Sequence, residues 1–254
     1  MTNNKKTEVM NVPTLEEIKA KYNTGDNLDE VKVRGLIDDL GGLIVATGQG
    51  GSPKIGRGIP NSRVTGKPGD LYIDEIKTLG ASVWVKTDTT SNAGWEVLSG
   101  DTGKKQITVK NALNGKNAAV FVRRNGRQVT ITFGAGQYGW FSLDLNALKN
   151  DGWAFSQRGQ DVWIKLVPKS ANGNRNDFIP QGFRSETGMV AGVYDDNTRL
   201  IGSVYYGGDA DSNALMIRFP NITKENITQK MLQEMRIGFF TYITSDQWPM
   251  TEPN

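Results

Sequence analysis

The 254-residue sequence contains no cysteine and no histidine. Without cysteine, the chain has no disulfide framework and no thiolate metal site. Without histidine, it lacks the commonest general base, the commonest zinc ligand and every nucleophile–histidine triad. Because only carboxylate, lysine or tyrosine chemistry remains open to an enzyme, we expect a protein that is not an enzyme and that uses no cofactor and no metal.

The sequence also has no long apolar run. Residues 1–10 lack the apolar stretch of a secretory signal. The longest apolar run near them, residues 43–46, is far shorter than the roughly 18 residues that a membrane span needs. We therefore expect a soluble protein that is made in a cytoplasm and has no membrane partner.

Glycine, in contrast, is abundant. It occupies 30 of 254 positions, about 12% against roughly 7% in average proteins. Apolar residues make up 37% of the chain and aromatic residues 9%, which is too much for a disordered chain. This composition favours β structure rich in turns over a helical bundle.

Positive charge is concentrated in one part of the chain. The net charge is only +3, but residues 104–178 hold twelve basic and four acidic residues. Aromatic residues do not alternate with these charges, as they do on a surface that stacks nucleic-acid bases. We therefore expect no nucleic-acid partner, and we favour a local attraction to an anionic cell-wall polymer.

The N-terminal part of the sequence predicts a short helical stem over residues 1–47. Thr14-Leu-Glu-Glu17 is a capping box, in which the Thr14 hydroxyl and the Glu17 carboxylate satisfy each other's backbone amides. A second pattern of apolar residues with helical spacing covers residues 28–40. Neither helix is long enough to be stable alone in water, so we expect this stem to self-associate or to dock on a partner.

Residues 48–69 predict a linker. They contain seven glycines and three prolines, which disfavour both helix and sheet. Residues 70–103 then predict a small β module with short alternating strands at 70–74, 82–86 and 94–98. Three such strands do not enclose a core. Either a threefold arrangement of copies buries Trp84 and Trp95, or the module packs on the C-terminal domain.

Residues 104–254 predict the main domain, an antiparallel β-sandwich or jelly roll of about eight strands. The clearest signal is a hairpin over 118–133, in which Asn125-Gly126 predicts a type I′ turn. A short helix or a loop is expected over 223–234. The other predicted strands are 106–110, 162–167, 188–194, 199–206, 214–219 and 236–243.

Two motifs partly match known ligand-binding motifs. Gly134-Ala-Gly-Gln-Tyr-Gly139 matches the dinucleotide fingerprint, but it follows a hairpin strand and precedes no convincing helix. Asp209-Ala-Asp-Ser-Asn213 resembles the start of a calcium loop. Its sixth position is Ala214 where the loop needs glycine, and its twelfth is Pro220 where the loop needs glutamate. Neither motif predicts a nucleotide or metal site.

Exposed aromatic side chains are the remaining candidates for binding, because saccharide sites often combine aromatic faces with nearby polar groups. Tyr138 and Trp140 lie in a glycine-rich loop and are the best candidates for exposure. Trp163 lies in the alternating run Asp-Val-Trp-Ile-Lys-Leu, so we expect it in the core or in an interface. The candidate receptor-binding residues are Tyr138, Trp140, Trp153, Tyr205 and Tyr206.

Three blocks resemble a module of bacteriophage tail-fibre and baseplate proteins. They are Gly69-Asp-Leu-Tyr-Ile-Asp74, Val83-Trp-Val-Lys86 and Gly94-Trp-Glu-Val-Leu-Ser-Gly-Asp-Thr-Gly103. Later stretches are similar to the terminal β head of the same fibres, so the resemblance covers about residues 70–254. These stretches are Ile179-Pro-Gln-Gly-Phe-Arg184, Ile201-Gly-Ser-Val-Tyr205, Gly208-Asp-Ala-Asp-Ser-Asn213, Tyr242 and Trp248-Pro249.

The resemblance implies a homotrimeric virion fibre. The N-terminus would attach to other virion proteins, and the C-terminal head would bind saccharide on the host cell surface. On this interpretation, the segment 1–47 attaches the fibre to the virion and forms the trimer, and the segment 48–69 is a linker that extends the head outward. The segment 70–103 then holds the three chains together, and the segment 104–254 is the exposed head. The short stem and the glycine-rich linker depart from tail fibres. They leave open the alternative of a capsid (head) fibre or a decoration protein with no essential role in adsorption.

Overall fold

The structure is a computed structural model that describes residue 21 and residues 53–113, 118–134, 138–169, 178–207 and 213–250. The predicted stem over 1–47, apart from residue 21, lies outside the described residues. So do residues 48–52 of the predicted linker and residues 209–212 of the stretch that resembles a calcium loop.

Within the described residues the chain is mainly β, which confirms the predicted fold class. Beyond residue 21, the described residues form fourteen strands, one α-helix, α1 (Leu145–Lys149), and two 3₁₀ helices, Thr78–Gly80 and Gln229–Leu232. The strands are β1 (Lys54–Gly56), β2 (Leu71–Asp74), β3 (Ala81–Lys86), β4 (Trp95–Gly100), β5 (Lys105–Thr108), β6 (Ala119–Asn125), β7 (Gln128–Phe133), β8 (Phe155–Arg158), β9 (Asp161–Lys165), β10 (Met189–Tyr194), β11 (Leu200–Tyr206), β12 (Leu215–Phe219), β13 (Arg236–Ile237) and β14 (Phe240–Ile243).

The strands are arranged in three sheets. The first sheet has the order β1-β2-β3-β4, the second β13-β10-β11-β12-β9-β8 and the third β14-β7-β6-β5. The chain divides into two compact units. Of the described residues beyond position 21, the first unit contains 53–76 and 83–96, and the second contains 77–82 and 97–250.

The first unit corrects the prediction of a connector over 48–69. Strand β1 pairs in parallel with β2, so residues 54–56 belong to a sheet in spite of their neighbouring glycines and prolines. Farther along, the side chain of Asn61 exchanges hydrogen bonds with the backbone of Trp95, at 2.8 and 3.0 Å. These distant partners supply the hydrogen bonds that the local sequence does not.

Two tryptophans of this unit are buried in a single chain. Trp84 and Trp95 are 1% and 3% exposed. The indole N–H of Trp95 donates to the carbonyl oxygen of Val64 at 2.7 Å, and its ring meets that of Tyr72 edge-on at 6.0 Å between centroids. Burial of Trp84 and Trp95 therefore requires no second copy of the chain, which corrects that part of the trimer prediction.

The second unit is β-sandwich-like. Its six-stranded and four-stranded sheets contribute to one continuous hydrophobic core. The most buried core residues of the strands include Val120, Val122, Val129, Ile131, Val162, Ile164, Val204, Ile217 and Phe219. The unit contains more strands than predicted, because β8 was not expected and the predicted strand over 236–243 divides into β13 and β14. These two short strands belong to different sheets.

The hairpin of β6 and β7 is confirmed, but its turn differs from the prediction. Asn125 lies opposite Gln128, so the two turn residues are Gly126 and Arg127. Only Gly126 has a positive φ, of +56°. A type I′ turn needs positive φ at both central residues, whereas a type II′ turn needs it only at the first. The observed turn therefore follows the II′ pattern.

Helix α1 was not predicted from the sequence. Its N-cap is Asp144, whose carboxylate accepts hydrogen bonds from the backbone N–H groups of Asn146 and Ala147 at 2.8 and 3.1 Å. The short helix considered over 223–234 is limited to the 3₁₀ turn Gln229–Leu232.

Candidate functional site

Strand β9 presents a tryptophan on the outer face of the six-stranded sheet. Val162 and Ile164 point into the core and are fully buried. Asp161, Trp163 and Lys165 alternate with them and are half-buried. Because neighbouring residues of a strand point to opposite faces, burial of the two aliphatic residues places Trp163 on the other face. Trp163 is therefore not part of the core.

Neighbouring strands place further side chains around Trp163. Arg218 of β12 lies directly opposite it in the ladder. The ring of Tyr205 from β11 lies 5.3 Å from the Trp163 ring, centroid to centroid, at an angle of 41°. The guanidinium carbons of Arg158 and Arg218 lie 5.3 and 5.6 Å from the indole centroid. We call Arg158, Asp161, Trp163, Tyr205 and Arg218 the Trp163 cluster.

Hydrogen bonds fix the polar groups of the Trp163 cluster. Arg218 donates to the carboxylate of Asp161 from Nε at 2.8 Å and from Nη2 at 2.6 Å. It also donates from Nη1 to the Tyr205 hydroxyl at 3.4 Å. The backbone N–H of Asn221 donates to the same carboxylate at 2.9 Å. The guanidinium of Arg218 is therefore held in one orientation beside the aromatic rings.

These contacts also keep both charges in place. The N–H of Asn221, followed by the guanidinium of Arg218, lowers the pKa of Asp161 below its ordinary value. Hydrogen bonds to Tyr205 and Asp161 raise the pKa of Arg218. Asp161 therefore stays ionised to a lower pH than an ordinary aspartate, and the ion pair with Arg218 persists with it.

Trp153 borders the cluster next to β9. Its side chain is 37% exposed and lies just before β8. The ammonium nitrogen of Lys165 lies 4.3 Å from the centroid of its ring. Lys165 is on the same face of β9 as Trp163, so Trp153 and Lys165 extend the surface of the cluster along that strand.

A second aromatic pair lies at 138–140. The rings of Tyr138 and Trp140 stack at 4.8 Å and 24°. The indole N–H of Trp140 donates to Asp196 at 3.1 Å, and Arg236 donates both to Asp196 at 3.1 Å and to the Tyr138 carbonyl at 2.7 Å. Tyr138 is 55% exposed. The sequence prediction of an exposed pair here is confirmed for Tyr138, while Trp140 is half-buried.

The glycines next to this pair allow two backbone segments to approach each other closely. Gly134 has a φ of +83°, and a Cβ built on it would lie 2.1 Å from the carbonyl oxygen of Gly139. The approach of the two backbones therefore requires glycine. Strand β7, which precedes the motif, has antiparallel neighbours on both sides. The parallel βαβ unit that a dinucleotide fingerprint needs is not formed by β7.

Tyr206, one of the predicted receptor-binding residues, lies in the core and not on the surface. Its side chain is 1% exposed in the core, and its hydroxyl accepts a hydrogen bond from the backbone N–H of Ser185 at 2.9 Å. Burial raises the pKa of this tyrosine. Tyr206 has no surface to offer a ligand, which corrects the prediction. Tyr205, the next residue on β11, points to the opposite face and belongs to the Trp163 cluster.

Four residues of the cluster were not among the candidate binding residues predicted from the sequence: Arg158, Asp161, Trp163 and Arg218. A signal for Trp163 was present, because it is in phase with Asp161 and Lys165, and charged residues mark the outer face of a half-buried strand. The contribution of Arg218 carries no local signal, since β12 pairs with β9 across a long stretch of sequence.

In the part of the chain that the structure describes, no three acidic side chains lie together in a way that would hold a metal ion. No helix formed by those residues is both long and apolar enough to span a membrane. In comparisons with known proteins, no family model, no curated protein and no solved structure matched the chain.

Proposed function

We propose that the chain is a structural protein of a bacteriophage virion, a trimeric fibre that attaches the particle to saccharide on the host cell surface. The resemblance of residues 70–254 to phage fibre proteins supports this proposal. So does the β-sandwich-like second unit, which suits an exposed head. The protein binds and carries out no reaction, and its N-terminal part contacts other virion proteins.

The observation that carries the proposal is the Trp163 cluster. Two half-buried aromatic rings, Trp163 and Tyr205, lie beside a guanidinium and a carboxylate on one face of a sheet. Sugars bind to such surfaces through their C–H faces on aromatic rings and through hydroxyl groups that hydrogen-bond to planar charged side chains. The cluster offers both kinds of contact.

The cluster is also rigid. Its residues lie on β8, β9, β11 and β12, which are four adjacent strands of one sheet, rather than on flexible loops. Two nitrogens of the Arg218 guanidinium lie 2.6 and 2.8 Å from the Asp161 carboxylate, which holds the Arg218 side chain in place. Ligand binding therefore costs little additional side-chain entropy. A shallow site of this kind binds weakly by itself. Three copies on one fibre, and many fibres on one particle, give strong attachment through multivalency.

Replacement of Trp163 by alanine tests the proposed site. We expect the variant to bind saccharide at least about tenfold more weakly than the unaltered chain, because buried aromatic contacts dominate binding energies at such sites. The measurement is binding of the full-length chain to an array of glycans, followed by titration of the best ligand. Circular dichroism and thermal unfolding check that the variant is folded.

The matched control is Phe239→Ala. Phe239 is 68% exposed and lies between β13 and β14. This variant also loses an aromatic ring from the surface of the second unit, but it should bind like the unaltered chain. Undiminished binding by the Trp163 variant, or equal losses in both variants, would contradict a saccharide site at the Trp163 cluster.

The trimer is tested by the mass in solution. Light scattering of the full-length chain should give about 84 kDa, three times the 27.9 kDa of one chain. Removal of residues 1–47 should reduce this mass to that of a monomer if the stem holds the copies together. A monomeric mass for the full-length chain would overturn the trimeric architecture.

A further inference from the structure

We infer that the saccharide ligand is a linear chain of several sugar units that crosses the six-stranded sheet, from the Trp163 cluster to Tyr194 of β10. This inference rests on the proposed function and specifies the length of ligand that the same site takes. Three features support it: a row of paired residues that leads away from Trp163, the position of the Tyr194 ring, and the guanidinium beside that ring.

A row of directly paired residues leads from Trp163 to β10. Arg218 of β12 lies between Trp163 of β9 and Ser203 of β11. Ser203 in turn lies opposite Gly192 of β10. These four strands are adjacent in the sheet, so the two ends of the row are three strand spacings apart, about 14 Å. A single sugar ring stacked on Trp163 therefore does not reach the other end of the row.

The far half of this row forms a shallow groove. Ser203 and Gly192 are small, and both alternate along their strands with fully buried valines, which places them on the outer face. The neighbouring row on that face has larger side chains, because Val190 lies directly opposite Tyr205. Val190 is 59% exposed. A chain that lies along Ser203 and Gly192 would thus be bordered by Tyr205 and Val190.

Tyr194 lies at the end of this groove. Its side chain is 38% exposed, and it is two residues from Gly192, so the two residues share a face of β10. A Cβ built on Gly192 would lie 2.6 Å from the Tyr194 hydroxyl oxygen and 2.7 Å from two carbon atoms of its ring. The ring therefore lies down over Gly192, in the space that a side chain there would fill. In this position it offers an aromatic surface to the C–H face of a sugar.

A guanidinium that is held in place lies next to Tyr194. Arg236 of β13 is directly opposite Tyr194 in the ladder, so both side chains project from the same face. Arg236 donates to the carboxylate of Asp196 at 3.1 Å and to the carbonyl oxygen of Tyr138 at 2.7 Å. An aromatic ring beside an oriented guanidinium is the same combination that the Trp163 cluster contains. The sheet therefore has two such contacts, one at each end of the row.

The test compares oligosaccharides of different length. The full-length chain is titrated with malto-, cello- and chito-oligosaccharides of one to six sugar units. In the series that binds, we expect the affinity to rise about tenfold between the disaccharide and the tetrasaccharide and to change little beyond that. The rise is expected because only the longer chains contact both Trp163 and Tyr194.

Two variants locate the contribution of the added units. Tyr194→Ala should bind the hexasaccharide about tenfold more weakly than the unaltered chain and bind the disaccharide equally well. Gly192→Ala should act in the same direction, because its methyl group displaces the Tyr194 ring, and Gly192 has no positive φ that alanine would strain. Trp163→Ala should weaken binding of both lengths. Circular dichroism and thermal unfolding check that each variant is folded.

The control is Ile243→Ala. Ile243 is 62% exposed on β14, in the four-stranded sheet of the same unit. This variant also loses an apolar side chain from the surface of the second unit, and it should bind both lengths like the unaltered chain.

The outcomes separate the inference from the proposed function. Equal affinity for all lengths, lost in Trp163→Ala, would overturn the extended ligand and leave the saccharide site standing. A rise with length that Tyr194→Ala retains would also overturn the inference, because the added units would then bind elsewhere. A lower mass of Tyr194→Ala in light scattering, with unchanged affinity for the hexasaccharide, would assign Tyr194 to a contact between copies instead. Binding of no oligosaccharide would count against both the inference and the proposed function.

Discussion

Replacement of Arg124 by methionine is expected to lower the free energy of unfolding of the second unit by about 3 kcal/mol. Arg124 is 5% exposed, although its position in a strand between polar residues suggests a surface residue. Its guanidinium donates to the carbonyl oxygens of Gly126, Gly182 and Gln247 at 2.9, 2.7 and 2.8 Å. Methionine fills similar space but donates no hydrogen bond, so the buried carbonyl group of Gly182 and the partly buried bonds to Gly126 and Gln247 lose their donor.

The same substitution should loosen the C-terminal segment of the described chain. The Arg124 guanidinium lies 5.0 Å from the ring centroid of Trp248, next to Gln247. Denaturant titration measures the stability, and hydrogen exchange measures the protection of residues 246–248. Burial lowers the pKa of Arg124, but an arginine pKa starts so far above neutral that the side chain keeps its charge, and we expect this loss at neutral pH.

The neighbouring residue provides a matched control. Arg123 follows the alternation of β6 to the outer face, where it is exposed and pairs with Asp101, with Nε at 2.9 Å from the carboxylate. Exposed ion pairs of this kind contribute little to stability, because water and salt screen them. Arg123→Met should therefore leave stability nearly unchanged. Equal effects of the two substitutions would contradict the claim that Arg124 stabilises the second unit through its buried hydrogen bonds.

Replacement of Trp95 by alanine should destabilise the first unit by about 4 kcal/mol, within the range for large aromatic residues in a core. Trp95 is 3% exposed, and a Cβ added to Gly66 would lie 2.5 Å from its ring. The ring thus packs directly on the backbone of the segment before β2. In the described part of this unit the other large buried aromatic side chains are Tyr72 and Trp84, so the loss of Trp95 removes much of its apolar packing.

Hydrogen exchange of residues 53–76 and 83–96 measures this effect. Trp95→Phe is the graded control, because it keeps an aromatic ring but removes the hydrogen bond to the carbonyl oxygen of Val64 and part of the packing of the larger indole. The phenylalanine variant should lose roughly 1–2 kcal/mol, clearly less than the alanine variant. Unchanged protection of residues 53–69 in the alanine variant would show that this segment is held by something other than Trp95.

Local patterns predict the strands of this chain well where partners are neighbours in sequence. The β6–β7 hairpin follows from alternating valines and isoleucines on both sides of a glycine turn. The turn itself was placed one residue too early, because Asn125-Gly126 is a strong sequence signal but Asn125 remains paired with Gln128. The buried pair of Arg124 and Val129 next to the turn, rather than turn propensity, sets the register there.

Elements with distant partners could not be predicted. Strand β1 has only three residues, and its partner β2 begins fifteen residues later and runs parallel to it. The segment that contains β1 has the composition of a linker, and its hydrogen bonds come from Trp95 and other distant groups. Helix α1 did have a local signal in its N-cap Asp144, but with five residues it is too short to show a helical period.

The Trp163 cluster depends both on a local sequence pattern and on pairing between distant strands. Alternation within β9 buries Val162 and Ile164 and so places Trp163 outside, which the sequence could have shown. The pairing of β12 with β9, which brings Arg218 to Trp163, depends on the order of strands in the sheet. That order follows from packing of the whole unit and not from any local stretch. The candidate site is thus a product of the fold, although its central residue has a signal of its own.

Competition for host cells tests the central claim most directly. Cells are incubated with an excess of the full-length chain, and adsorption of the phage that carries it is then counted. The proposed attachment role predicts that the chain blocks adsorption and that the Trp163→Ala chain does not. Adsorption that stays complete in the presence of saturating chain would contradict the role in attachment and would favour a decoration or capsid fibre protein.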